Sequence, residues 1–253
     1  MLTIENLLIQ QEHRQILNLP IASLVSGEFI AVLGPNGAGK SSLIKAICGE
    51  WPASQGQIYL HGNSLEHWNR ELLAKHLGVL PQASQLSFPF KAQEVVAIGS
   101  TPLSLSLREI NYAVQKWMQA TDTWQFADRL YTSLSGGERQ RVQLARVLLQ
   151  LSQAERAPLL LLDEPTSAQD LGQQHQLLNL VKSLCQENGF AVISILHDLN
   201  QASRYADKVW LLQQGELVAQ GSPPQVLQPE TVMKIWGYQP ELFFNSEGQQ
   251  ILV

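Results

Sequence analysis

Two apolar runs, LLLLD at Leu159–Asp163 and FAVISIL at Phe190–Leu196, show no alternation of apolar and polar residues. A strand with one face in water alternates with period two. A run that does not alternate is covered on both faces, as in a parallel sheet with helices above and below. FIAVL at Phe29–Leu33 reads as another strand, and LTIENLLI, IYLHG and HLGVLPQ as further ones. SSLIKAICG reads as a helix, and KVWLLQQGELVAQG as a hairpin turned at Gln214 and Gly215. From about Phe90 to Leu130 strand patterns are scarce and the spacing is mostly helical. The economical architecture is therefore an α/β core interrupted by a helical insert. At 253 residues with 45% hydrophobic content, the chain can bury one large core or two small ones.

Composition narrows the partners. The formal net charge of -5 gives no overall cationic footprint for nucleic acid or anionic lipid, so nucleic acid is excluded as a main partner. The two cysteines, Cys48 and Cys185, lie far apart among apolar residues. That argues for buried free thiols in a reducing compartment rather than a disulfide framework or a zinc site. No apolar run approaches the ~20 residues that span a bilayer. Glu5 stands where a signal peptide would carry a basic residue, so a cytoplasmic protein is expected.

Three motifs carry chemistry. GPNGAGKSS follows a strand and opens a helix, and it fits the phosphate-loop pattern G-x-x-x-x-G-K-[ST]. Gly34, Gly37 and Gly39 let backbone N–H groups converge on phosphate oxygens, with Pro35, Asn36 and Ala38 completing the loop before Ser42. Lys40 is placed to reach the β and γ phosphates and Ser41 to hold magnesium. An ordinary glycine turn would not require the lysine and serine at these positions. In LLLLDEP a buried strand ends in Asp163 and Glu164, two charges at the sheet edge where open α/β folds bind ligands. Asp163 suits magnesium, and Glu164 suits orienting or deprotonating the water that attacks a γ-phosphate. A helix N-cap over DEPTS is the plainer alternative, weak beside a phosphate loop. In LSGGERQ, Ser135, Gly136 and Gly137 open a helix with bare N–H groups, a second anion site. Two cradles in one chain imply either two nucleotides or two chains sharing them.

These motifs together resemble the ATP-binding subunits of ABC transporters over nearly the whole chain: GPNGAGKSS their Walker A, LLLLDEP their Walker B, LSGGERQ their signature motif. The resemblance implies a P-loop NTPase of ABC type, with a mixed sheet core and a helical subdomain in one domain over 1–253. The core would span about 1–85 and 155–220, the helical subdomain about 86–154 and a C-terminal segment 221–253. It implies that Gln82 in VLPQ touches magnesium and the attacking water, and that His197 after FAVISIL meets the γ-phosphate. ATP and Mg2+ are the implied cofactors. ATP would be sandwiched between two copies of the chain, Lys40 of one facing Ser135 and Gly137 of the other. Two departures stand out: Gln169 in SAQD occupies a position usually held by leucine, and LLIQQEHRQIL offers no aromatic to stack on adenine, only His13 nearby.

FPFKAQEVVAIGSTP, after Gln82, resembles the segment that receives a coupling helix of the membrane subunit in importers for metal chelates. LSQAERAP at Leu151–Pro158 resembles an insertion of the same subfamily. Heme importers in particular resemble ICGEWPASQGQIYLHG, VLPQASQLSFPF and ILHDLNQASRYAD. The expectation is the motor of a heme importer, with cobalamin or ferric-siderophore import as neighbours and a soluble, non-transport ABC ATPase as the alternative from another class. Two membrane permease subunits and, indirectly, a periplasmic substrate-binding protein are the implied partners. Docking would be through Leu86 to Gly99, at the cytoplasmic face of the inner membrane.

Overall fold

The computed structural model describes residues 1–12, 14–82, 88–167, 169–246 and 248–253. His13, Leu86 at the head of the expected docking segment, and Ala168 within SAQD lie outside the described residues. The chain opens with β1 (Leu2–Gln11), β2 (Arg14–Leu24) and β3 (Phe29–Leu33), then α1 (Lys40–Ile47). β4 (Gln55–Leu60), β5 (Asn63–Ser64), α2 (Arg70–His76) and β6 (Leu77–Leu80) follow. A helical stretch comprises α3 (Ala92–Ala97), α4 (Leu107–Ala120) and α5 (Gly136–Gln150). The chain then alternates through β7 (Leu159–Asp163), α6 (Leu171–Asn188), β8 (Ala191–Ile195), α7 (Leu199–Tyr205) and β9 (Lys208–Gln213). It closes with β10 (Glu216–Gly221), α8 (Pro223–Val226), α9 (Pro229–Trp236), β11 (Leu242–Phe244) and β12 (Gln250–Leu252).

Ten strands form one mixed sheet in the order β5-β4-β1-β2-β10-β9-β3-β8-β7-β6. From β9 through β6 neighbours run parallel, while β9–β10, β1–β2, β1–β4 and β4–β5 run antiparallel. The non-alternating runs are the middle of the parallel half, and all residues of β3 and β8 are buried. Their side chains still divide by face, as period two demands. Phe29, Ala31, Leu160, Leu162 and Val192 join the core under α3, α4, α5 and α6. Ile30, Val32, Leu159, Leu161 and Ile193 join the one under α1 and the β1–β2 hairpin. The β9–β10 turn is where expected, with Gln214 at φ 50° and Gly215 at φ 82°, the left-handed pair of a two-residue hairpin.

The cysteine expectation needs one correction. Cys185 is buried as anticipated, but Cys48 is only half-buried, because it caps the C-terminal end of α1 at the rim of a cleft beside Trp51. Burial pushes both thiols up to about 12, so neither is a reactive thiolate at neutral pH. No helix among the described residues is long and apolar enough to cross a membrane.

Candidate active site

The parallel half of the sheet presents the C-terminal ends of β3, β7 and β8 side by side, and the chemistry-bearing motifs leave from these ends. After β3 the chain turns at Gly34, φ 147°, where a Cβ would lie 2.1 Å from the carbonyl oxygen of Leu212 on β9. Only glycine fits there. The loop then feeds α1, whose N-cap Gly39 supplies no side-chain cap. Its first N–H groups are left for an anion. Lys40 folds back over the loop, its Nζ donating to the carbonyl oxygens of Gly34 at 2.8 Å and Pro35 at 3.1 Å. Burial lowers the Lys40 amine below its ordinary value, against the pull of Glu164 and Asp163.

Asp163 ends β7 and accepts from Ser41 Oγ at 3.3 Å. Burial raises its carboxyl above the ordinary range, with Glu164 adding to the effect, while Ser41, Lys40 and Lys45 draw it back. Glu164 sits in a left-handed backbone, φ 51°. Its carboxylate is held from both sides, Oε2 by Gln82 Nε2 at 2.6 Å and Oε1 by His197 Nε2 at 2.6 Å. The two residues that only the family resemblance singled out are therefore brought onto the candidate base. β6 and β8 deliver them, each from the loop just beyond its strand end.

A cleft of about 690 Å3 opens over the loop, lined by residues 36–42 together with Glu164. Arg14, Gln15, Ile16 and Trp51 form its other wall, and Lys45 Nζ lies 4.9 Å over the Trp51 ring. These wall residues escaped the sequence reading. The signal for Trp51 was available, since it is an aromatic closely following the helix that the phosphate loop opens.

Ser135, Gly136 and Gly137 do not line this cleft. Ser135 caps α5 reciprocally: Glu138 N donates to Ser135 Oγ at 3.3 Å and Ser135 N donates to Glu138 Oε2 at 2.7 Å. The Ser135 backbone bond holds the Glu138 carboxyl below the usual carboxylate range. The expected second cradle is thus a separate helix end.

A strand-to-helix loop with a buried lysine, facing carboxylates at the sheet edge, can bind the phosphates of a nucleoside triphosphate and hold a water against them. The family profile described as ABC transporter matches residues 20–167. The hemin import ATP-binding protein HmuV of Shewanella denitrificans is 47% identical over 253 residues, covering all of both chains. Among solved structures, one described as a metal-chelate type ABC transporter in an inward-facing conformation superposes with a TM-score of 0.80 at 28% identity. It covers 100% of this chain and 96% of that one. A bacterial ABC transporter cassette solved as a dimer superposes with a TM-score of 0.76 at 26% identity, covering 88% and 99%. Likeness of that extent, on a site shaped for a triphosphate, makes the chain a member of the ABC transporter family, one of its ATP-binding subunits.

Proposed function

We propose that the chain is the ATP-hydrolysing motor of a hemin importer. The observation that carries the reading is the 47% identity to a hemin import ATP-binding protein in an alignment of 253 residues that spans every motif of the site. Residues 34–42 bind the phosphates through loop N–H groups and Lys40. Ser41 Oγ and the Asp163 carboxylate are hard oxygen donors 3.3 Å apart, and burial of the Asp163 carboxyl, which raises its pKa, favours a cation beside it, a set that suits Mg2+. Ser41, Asp163 and Gln82 would hold the ion, which would supply charge to offset that of the phosphates. Glu164 takes the proton of the attacking water, and Gln82 and His197 aim its carboxylate.

The second cradle at Ser135, Gly136 and Gly137 serves the ATP held by another copy of the chain, which accounts for its position outside the cleft. We read residues 1–85 and 155–220 as the nucleotide-binding core and about 86–154 as a helical subdomain that meets the permease. Phe88 and Phe90 support that surface: they are 67% and 39% exposed, with ring centroids 6.2 Å apart. The chain would sit peripherally at the cytoplasmic face of the inner membrane, under two permease subunits served by a periplasmic binding protein.

Steady-state hydrolysis tests the chemistry. Glu164→Gln should lower kcat by roughly 10²- to 10³-fold, the contribution of a positioned base, and Lys40→Ala should abolish productive ATP binding. Wild-type turnover in Glu164→Gln would remove Glu164 from its role. The cargo is tested apart from the chemistry, by growth on hemin as sole iron source after deletion of the subunit.

A further inference from the structure

Glu164 occupies a backbone conformation that a non-glycine residue holds only under constraint. The constraint is a set of buried and half-buried glutamine amides. Gln140, one turn into α5, donates through Nε2 to the Glu164 carbonyl oxygen at 3.2 Å. Gln169 donates through Nε2 to the next carbonyl, Pro165 O, at 3.0 Å, and to Gln140 Oε1 at 3.3 Å. Gln174 on α6 donates to the carbonyl oxygens of Gln169 at 2.9 Å and Thr166 at 3.1 Å. Gln201 on α7 donates to Gln174 Oε1 at 2.7 Å. The chain of amides therefore begins on the helix that Ser135 and Gly137 open and ends on the helix that follows His197. Gln140, Gln169 and Gln201 are all buried.

We propose that Gln169 is a positioning residue for hydrolysis, coupling α5, with its second phosphate cradle, to the backbone of Glu164 in the same chain. The inference rests on the reading that Glu164 is the base. Leucine, which the family pattern puts at this position, could fill the space but donate to neither carbonyl oxygen nor Gln140. A displacement of α5 when its N-terminal end engages ATP is passed through Gln140 to the Glu164 carbonyl and through Gln169 to the Pro165 carbonyl, on either side of Pro165. That changes where the carboxylate points between Gln82 and His197. The phosphate loop takes no part in these bonds, so ATP affinity is set elsewhere.

The test is a double-mutant cycle on the full chain, with Gln169→Met, Gln140→Met and the pair, since methionine keeps the length and removes the amide. Each single variant should lose one or two hydrogen bonds' worth of positioning, a fall of roughly five- to thirtyfold in kcat. KM for ATP should stay within about twofold, because binding is untouched. The double variant should lose less than the product of the two single losses, because both single changes break the bond between Gln169 and Gln140. Thermal melting of each variant separates lost positioning from lost fold, and Gln169→Leu gives a second variant with a residue the family accommodates there. Wild-type kcat in folded Gln169→Met and Gln169→Leu, or losses that multiply in the double variant, would overturn the proposal. Glu164→Gln run alongside keeps the two readings apart: an inactive Glu164→Gln beside a fully active Gln169→Met sinks only the relay.

Discussion

Asp163 is the residue at which folding and function pull apart. Its carboxyl is raised by burial and by Glu164, and the Ser41 hydroxyl and Lys40 ammonium do not offset this. A carboxyl with a folded pKa above its unfolded value of 3.8 binds protons more tightly in the native state. Its contribution to stability therefore falls as pH rises from 3.8 through the folded value. Asp163→Asn removes that dependence. Its Tm should exceed the wild-type Tm at neutral pH, with the advantage shrinking as pH is lowered toward about 4, while ATPase activity is lost. An advantage that grows toward acid pH, read by thermal melting across the range, would reverse the assignment of burial as the dominant cause. The residues of this site were legible in the sequence to the degree that they are contiguous. Gly34 to Ser42 and Asp163 with Glu164 each sit in a short motif whose spacing has a physical reason. Gln82 and His197 carry no such local signature, because what defines them is their meeting on Glu164 from strands far apart in sequence. Arg14 comes to the cleft from the start of β2 and Trp51 from the segment after α1, so the wall they share is set by tertiary placement.

Among the elements, α3 and α5 show how one small residue sets a packing distance. Gly99 lies in the 3-10 turn that continues α3, and a Cβ there would fall 2.2 Å from the carbonyl oxygen of Arg146 on α5. The obstacle is backbone, so it cannot swing aside. Gly99→Ala should cost about 1–3 kcal/mol through overpacking, lowering the Tm by several degrees and loosening the surface behind Phe88 and Phe90. An unchanged Tm would mean that the helices part without penalty. Elements were readable where periodicity is long or where burial on both faces abolishes it, as in β3, β7 and β8. β2 is harder to read because Pro20 interrupts it, and the structure tolerates the proline where the ladder to β10 consists of a single pair, Glu216 with Asn18. The terminal hairpin was not anticipated. β11 and β12 are three residues each, too short for a pattern, and their placement is tertiary. Asn200 on α7 donates to Leu252 O at 2.9 Å and accepts from Leu252 N at 2.8 Å, and Ser203 donates to Gln250 O at 2.9 Å.

At the scale of the molecule, the phosphate loop and the helix end proposed as a second cradle do not share a cleft, and the chain carries an exposed aromatic pair on its helical side. Replacing Phe88 and Phe90 by Ala should leave isolated ATPase activity intact and cost roughly 2 kcal/mol or more of permease docking, as removal of an aromatic anchor does. Pull-down with the permease and uptake by cells carrying the variant read this directly, and unchanged docking in the double variant would refute the surface. The cradles make a stronger demand. If Ser135 and Gly137 serve the ATP of another copy, then ATP is a ligand shared across the interface and must favour the dimer by mass action. Hydrolysis removes that ligand, so the dimer should accumulate only where turnover is blocked. Glu164→Gln keeps the shape of the site while removing the carboxylate proposed as the base. It should therefore sediment as a monomer alone and as a dimer with ATP, whereas Glu164→Gln combined with Ser135→Arg, which fills the second cradle, should stay monomeric while still binding ATP. The bound nucleotide in that combined variant shows that the first cradle is intact, so its failure to dimerise isolates the second. A Glu164→Gln chain that binds ATP and remains a monomer at high concentration would leave the second cradle without its occupant.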